Sequence, residues 1–186
     1  MWPYLERELR VVARSWEALA SVLLIASALG FIFAESYAAG LAAVNFVTVV
    51  LYAYTQILRE EELGTLDGLR LLRQPEKLVA AKFIVLFVTS LATSAVYSAV
   101  YFATSLRPPE LWLAPPTAAY FAAASTAATL LSTAAKSGVS LSMTLTAALV
   151  LGYSISIASG RLDAAVLATP AAAVLAITAL SRTILH

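Results

Sequence analysis

Cysteine is absent from the sequence. That excludes a disulfide framework, a zinc finger, an iron-sulfur cluster and a thiol nucleophile. Charge is scarce too. The 186 residues carry 12 Lys+Arg and 11 Asp+Glu, 12% in all, about half the roughly 25% that keeps a soluble domain's surface in water. A net charge of +1 gives no field to attract nucleic acid. Histidine occurs once, as the terminal His186, a poor axial ligand for haem because chain ends are mobile. No Gly-x-x-x-x-Gly-Lys-Ser/Thr sequence occurs, and Lys136-Ser137-Gly138 lacks the glycine-rich loop that would cradle phosphates. The chain therefore has no fuel site of its own and is read as non-catalytic. Asp67-Gly68 resembles the start of a metal-binding aspartate signature of CDP-alcohol phosphotransferases. Leu71 and Leu72 stand where its Ala-Arg should be, and Asp163 is the only later aspartate.

What abounds is hydrophobic sequence, 61% of the chain. A bilayer core of about 30 Å needs about 20 apolar residues in a helix, and six charge-free runs approach or exceed that length. They are Ala18 to Ala34, Tyr37 to Leu58, Phe83 to Leu106 within a span of about 78–106, Thr117 to Ala135, Val139 to Ser159 and Ala164 to Ser181. The expected fold is all-α: one polytopic membrane domain over 1–186 with six transmembrane helices. Ahead of the first run, Leu5, Leu9, Val12 and Trp16 share one helical face while Glu6, Arg7, Arg10 and Arg14 take the others. Residues 3–17 thus predict an amphipathic helix in the headgroup plane, with Pro3 in its first turn.

Orientation follows from the basic residues, which stay on the cytoplasmic side. With the N-terminus inside, ten of them lie inside and only Arg107 and Arg161 outside, so both termini are expected in the cytoplasm and the localisation is the cell membrane. Small-xxx-small rows such as Ala119, Ala123 and Ala127 suit helix packing in lipid. Pro170 predicts a kink near Leu167 in the sixth span. Tyr37, Tyr97, Tyr101, Tyr120 and Trp112 fit an aromatic belt at the outer boundary, and Pro108, Pro109, Pro115 and Pro116 stiffen the external connection there. No carboxylate lies in any charge-free run to relay protons or hold sodium, and no inverted repeat is visible.

Residues 59–77 hold nine of the charged groups, from Arg59 through Glu60, Glu61 and Glu62 to Lys77. Within them Leu63, Leu66, Leu69 and Leu72 recur every third residue, Gly64 and Gly68 permit close backbone approach, and Pro75 marks an end. The plain reading is a solvated connector with leucines on the headgroups. The fuller one is a short cytoplasmic helix offered to the groove of a soluble partner.

Leu5-Glu6-Arg7-Glu8-Leu9-Arg10, two spans, then Glu61-Glu62-Leu63-Gly64-Thr65-Leu66 ahead of Leu69, Leu72, Pro75 and Lys82 resembles the permease subunits of type-2 ABC exporters. With the short loops and the Lys136-Ser137-Gly138-Val139-Ser140-Leu141 junction, the layout is most similar to the haem-exporter B subunit family of cytochrome c maturation. The resemblance implies that Glu61, Glu62, Gly64, Thr65, Leu66, Leu69, Leu72 and Pro75 form a coupling helix docked on a separate cytoplasmic ABC ATPase. It implies ATP on that partner, haem handled by the complex, a second permease copy or related membrane subunit, and companion cytochrome c maturation proteins. No cofactor is expected on this chain. An exporter permease for another substrate, a stand-alone membrane scaffold and a small secondary transporter are the other readings of the same residues.

Overall fold

The computed structural model describes residues 2–14, 16–62, 75–134 and 153. Among them the chain is all helical, without strands: α1 Trp2–Arg14, α2 Trp16–Ile32, α3 Tyr37–Glu62, α4 Pro75–Ser105, a three-residue 3-10 turn Leu111–Leu113, and α5 Ala114–Ala134. The charge-free runs locate the cores of α2 to α5 to within a few residues. The spans expected at 139–159 and 164–181, the kink near Leu167 and the 136–141 junction lie outside the described residues, Tyr153 apart. Among the described residues one stretch, Lys77–Ser105, is long and apolar enough by length and composition to cross a membrane, and Trp16–Ile32 and Tyr37–Tyr52 are shorter apolar helices.

Local chemistry sets the boundaries. The helix expected over 3–17 ends at Arg14, and Trp16 and Glu17 open α2 instead, where the Glu17 carboxylate faces the partial positive charge of a helix start. The α2–α3 turn is closed by the Ser36 amide on the Phe33 carbonyl (3.1 Å), and the Ser36 carbonyl accepts the first α3 bond from Gly40 (3.2 Å). Whether the leucines ahead of Pro75 form a short helix lies outside the described residues. Pro75 is the first residue of α4, the one turn of a helix where a missing N–H leaves nothing unpaired. Pro115 and Pro116 sit likewise in the first turn of α5.

α4 leaves its last turn through Leu106, whose φ of 56° is left-handed and whose amide still donates to Phe102 (3.0 Å). A leucine there costs about 1–2 kcal/mol in backbone sterics. Its side chain is 81% exposed, so it gives up little packing when removed. Leu106→Gly is expected to gain about 0.5–1 kcal/mol after glycine's larger unfolded-chain entropy is subtracted. Thermal unfolding should show a higher midpoint for Leu106→Gly and a lower one for Leu106→Val.

α4 is the central element, packed against α1, α2, α3 and α5, and α3 also packs against α2 and α5. Directions follow from side-chain pairs. Tyr37 meets Ser98 and Thr48 meets Thr93, so α3 and α4 are antiparallel. Thr104 near the end of α4 reaches the Gly30 carbonyl near the end of α2 (3.2 Å), so those two are parallel. A Cβ on Gly30 would lie 2.7 Å from Val100 Cγ1; its absence lets the helices close up. Three buried clusters succeed one another along the bundle. One joins Ala26, Tyr37, Leu41, Tyr97, Tyr101 and Leu113 at the end bearing the α2–α3 and α4–α5 turns. A second joins Ala42, Val49, Phe121 and Tyr153, and a third joins Val22, Tyr52, Leu86 and Ala122 at the end where α1 packs.

The tyrosines expected in an outer belt are mostly core. Tyr37, Tyr97 and Tyr101 are buried against one another with ring centroids 5.1–6.1 Å apart, because the Tyr37 and Tyr97 hydroxyls find partners inside the bundle. Tyr120 is half-buried and stacked on Tyr153 at 4.4 Å. Trp112 alone of the five stays exposed, beside Leu111.

Candidate functional site

The residues expected to dock an ATPase are placed only at their edges. Glu61 and Glu62 are the last residues of α3 and Pro75 the first of α4. Gly64, Thr65, Leu66, Leu69 and Leu72 lie outside the described residues. Because α3 and α4 are antiparallel, Glu62 and Pro75 end and begin them at the same end of the bundle, the end at which α1 packs.

α1 divides its surface three ways. Glu8 faces α4 and is buried, with Leu5 and Val12 half-buried on the same side. Trp2, Leu9 and Ala13 form a second, exposed apolar strip, and Glu6, Arg7 and Arg10 are exposed on the remainder, Arg10 paired with Glu6 one turn back. α1 thus has one side on the bundle, one exposed apolar side and one exposed charged side. The stripe read as lipid-facing from the sequence is thereby split: Leu5 and Val12 turn toward the bundle, and Leu9 and Trp16 are exposed.

The charge on the inner side of α1 is the feature that pattern reading missed. The Glu8 carboxylate lies 3.7 Å from Lys82 Nζ on α4, with only 2% and 9% of the two side chains exposed. Isolated charges do not remain in such a place, and the pair neutralises both. The available signal was Lys82 itself, a lone cation between Ala81 and Phe83 in apolar sequence, which implies a carboxylate nearby.

The second polar feature runs between α3 and α4. Tyr37 Oη lies 2.7 Å from Ser98 Oγ. Since Ser98 donates its proton to the Ser94 carbonyl (2.7 Å), Tyr37 is the donor. Asn45 Nδ2 donates to Ser94 Oγ (3.0 Å) and to the Leu41 carbonyl (2.9 Å), and Ser94 in turn donates to the Ser90 carbonyl (2.7 Å). Thr48 and Thr93 hydroxyls meet at 3.1 Å, each also within reach of a carbonyl of its own helix. All of these side chains are buried. From Tyr37 to Thr48 the seam extends about 16 Å along α3. Nothing in the apolar periodicity marks it, although Asn45 is the only asparagine in the chain.

Among the described residues no group of three or more His, Cys, Asp or Glu is placed to hold a metal ion. The site's chemistry is hydrogen bonding and charge pairing. No protein-family model matches the chain, and neither a curated protein nor a solved structure matches it.

Proposed function

We propose that the chain is the membrane-embedded permease subunit of an ATP-driven ABC transporter, of the type-2 exporter kind and most like the haem-exporter B subunit of cytochrome c maturation. One observation carries the reading. The sequence bearing Glu61, Glu62, Gly64, Thr65 and Leu66 follows the end of α3 and precedes the start of α4, two long antiparallel helices whose adjoining ends lie where an amphipathic helix is clasped by a buried ion pair. A leucine stripe between charged flanks, in a chain whose sequence has no phosphate-binding loop, suits a part that receives displacement from a soluble motor.

In this proposal all six charge-free runs span the cell membrane, with 139–159 and 164–181 as the fifth and sixth spans and both termini in the cytoplasm. A separate ATPase closes on ATP, residues 61–75 take up its movement, and α3 and α4 carry it into the bundle. α4 is suited to spread the displacement because every other described α-helix packs on it. A second copy or a related membrane subunit completes the permease, and haem is handled by the assembled complex with its companion proteins. The chain performs no catalysis itself.

Two substitutions in the connector test this. Leu66→Asp removes the centre of the leucine stripe, and Gly64→Trp fills the place of close approach. The ATPase should co-purify with the wild-type chain and be lost with both variants, while Tm of the bundle stays within a few degrees. Retention of the partner by both variants would sink the proposal, as would ATP hydrolysis by the complex that is indifferent to removal of this chain.

A further inference from the structure

From the α3–α4 seam we infer that Asn45 and Ser90 form a binding site for one hydroxyl-bearing guest, water in the resting bundle, at the line along which the two helices part. The orientation of the Asn45 amide is fixed: Nδ2 faces the Leu41 carbonyl at 2.9 Å and Ser94 Oγ at 3.0 Å, and turning it over would set two carbonyl oxygens against each other. Asn45 Oδ1 is therefore an acceptor, and among the described residues neither it nor Ser90 Oγ has a hydrogen-bond partner, although Asn45 is fully buried. Ser90 is equally buried. Thr89, Ser94 and Ser98 all donate back to the carbonyl four residues earlier; Ser90 does not.

The two groups are complementary. One accepts and the other can donate, and Ser90 stands one turn from Ser94, the residue that receives the Asn45 amide. A buried unpaired polar atom costs free energy wherever it sits, and two such atoms of opposite character on one seam match a molecule that both donates and accepts, as a hydroxyl does. Parting the helices there is cheap for four of the seam hydroxyls, while those of Tyr37 and Tyr97 lose their cross-helix partners. Thr48, Thr93, Ser94 and Ser98 each have a carbonyl acceptor within their own helix, so each stays hydrogen-bonded when its cross-helix partner withdraws. The site does not depend on an ATPase partner and stands or falls separately from the proposed function.

The absence of cysteine makes the chain ready for thiol probing. Ser90→Cys and, as a dry control, Ala122→Cys, fully buried in another cluster, are reconstituted in phospholipid vesicles and exposed to an aminoethyl methanethiosulfonate. Ser90→Cys is expected to react at least tenfold faster, since thiolate chemistry needs water at the sulfur. Slowing by molar glycerol identifies a polyol-accepting site, and indifference to it identifies water alone. Equal inertness of the two thiols overturns the proposal. A second readout is the sign of a stability change. Ser90→Ala should lower Tm by about 2 °C if the hydroxyl holds a guest, and that shift should vanish in an Asn45→Leu background. A Tm raised by Ser90→Ala, or a shift of the same size in both backgrounds, means the two residues share nothing.

Discussion

Glu8→Gln should destabilise the bundle by about 3 kcal/mol, a population change of roughly a hundredfold, because it removes the buried carboxylate that lies against the buried Lys82 ammonium. Lys82→Met should cost a similar amount by stranding the carboxylate. The informative variant is the double one. With Glu8→Leu and Lys82→Met together neither charge remains, and two apolar side chains of comparable size fill the α1–α4 contact, so stability should return to within about 1 kcal/mol of wild type or exceed it. Thermal unfolding gives the three values, and trypsin cleavage at Arg7 and Arg10 reports separately on α1, which should be cut quickly in the single variants and slowly in the double. Costs below about 1 kcal/mol for both single changes would mean that the pair behaves as a solvent-exposed one and that α1 is not seated on α4.

Gly40→Ala should be the next most damaging small change. A Cβ at Gly40 would lie 2.6 Å from the Tyr97 ζ carbon, nearer still to its hydroxyl, and 2.7 Å from Phe33 Cβ. Tyr97 cannot swing aside at low cost, since its ring is fully buried between Tyr37 and Tyr101 and its hydroxyl donates to the Tyr37 carbonyl at 3.1 Å. Overpacking of this kind costs about 1–3 kcal/mol and the lost hydrogen bond about 1 kcal/mol, while alanine returns about 1 kcal/mol of helix propensity. The net expectation is a loss of about 2 kcal/mol. In a Tyr97→Leu background the same substitution should cost at least about 1 kcal/mol less, because the obstructing ring is gone. Equal costs in the two backgrounds would place the strain elsewhere.

The helices were legible because lipid-length, charge-free sequence has one economical conformation, and Ala18 to Ala34 and Tyr37 to Leu58 fall almost wholly within α2 and α3. Their ends were less so. Pro75 is equally compatible with a helix stop and a helix start, and only the chain that follows decides. The face assignments failed where a residue type has two habits. Tyrosines suit a lipid boundary and also a core in which their hydroxyls are paired, and Tyr37, Tyr97 and Tyr101 took the second. Glu8 was invisible because an acidic residue on an amphipathic helix is ordinarily solvated; its partner comes from a distant part of the chain. Asn45 stood out as a single asparagine, but single-sequence periodicity does not say which serine it will meet. Leu66 and its neighbours were legible as a pattern and lie outside the described residues.

The clasp between Glu8 and Lys82 also constrains biosynthesis. Glu8 is made well before Lys82 and has no counter-charge until the ribosome has delivered three further helical segments. During that interval the Glu8 carboxylate must stay hydrated, and α1 can seat only once α4 has formed. Docking of the first helix is thus a late event in assembly, and a chain stalled before residue 82 should carry an N-terminal helix that quality-control proteases can still reach.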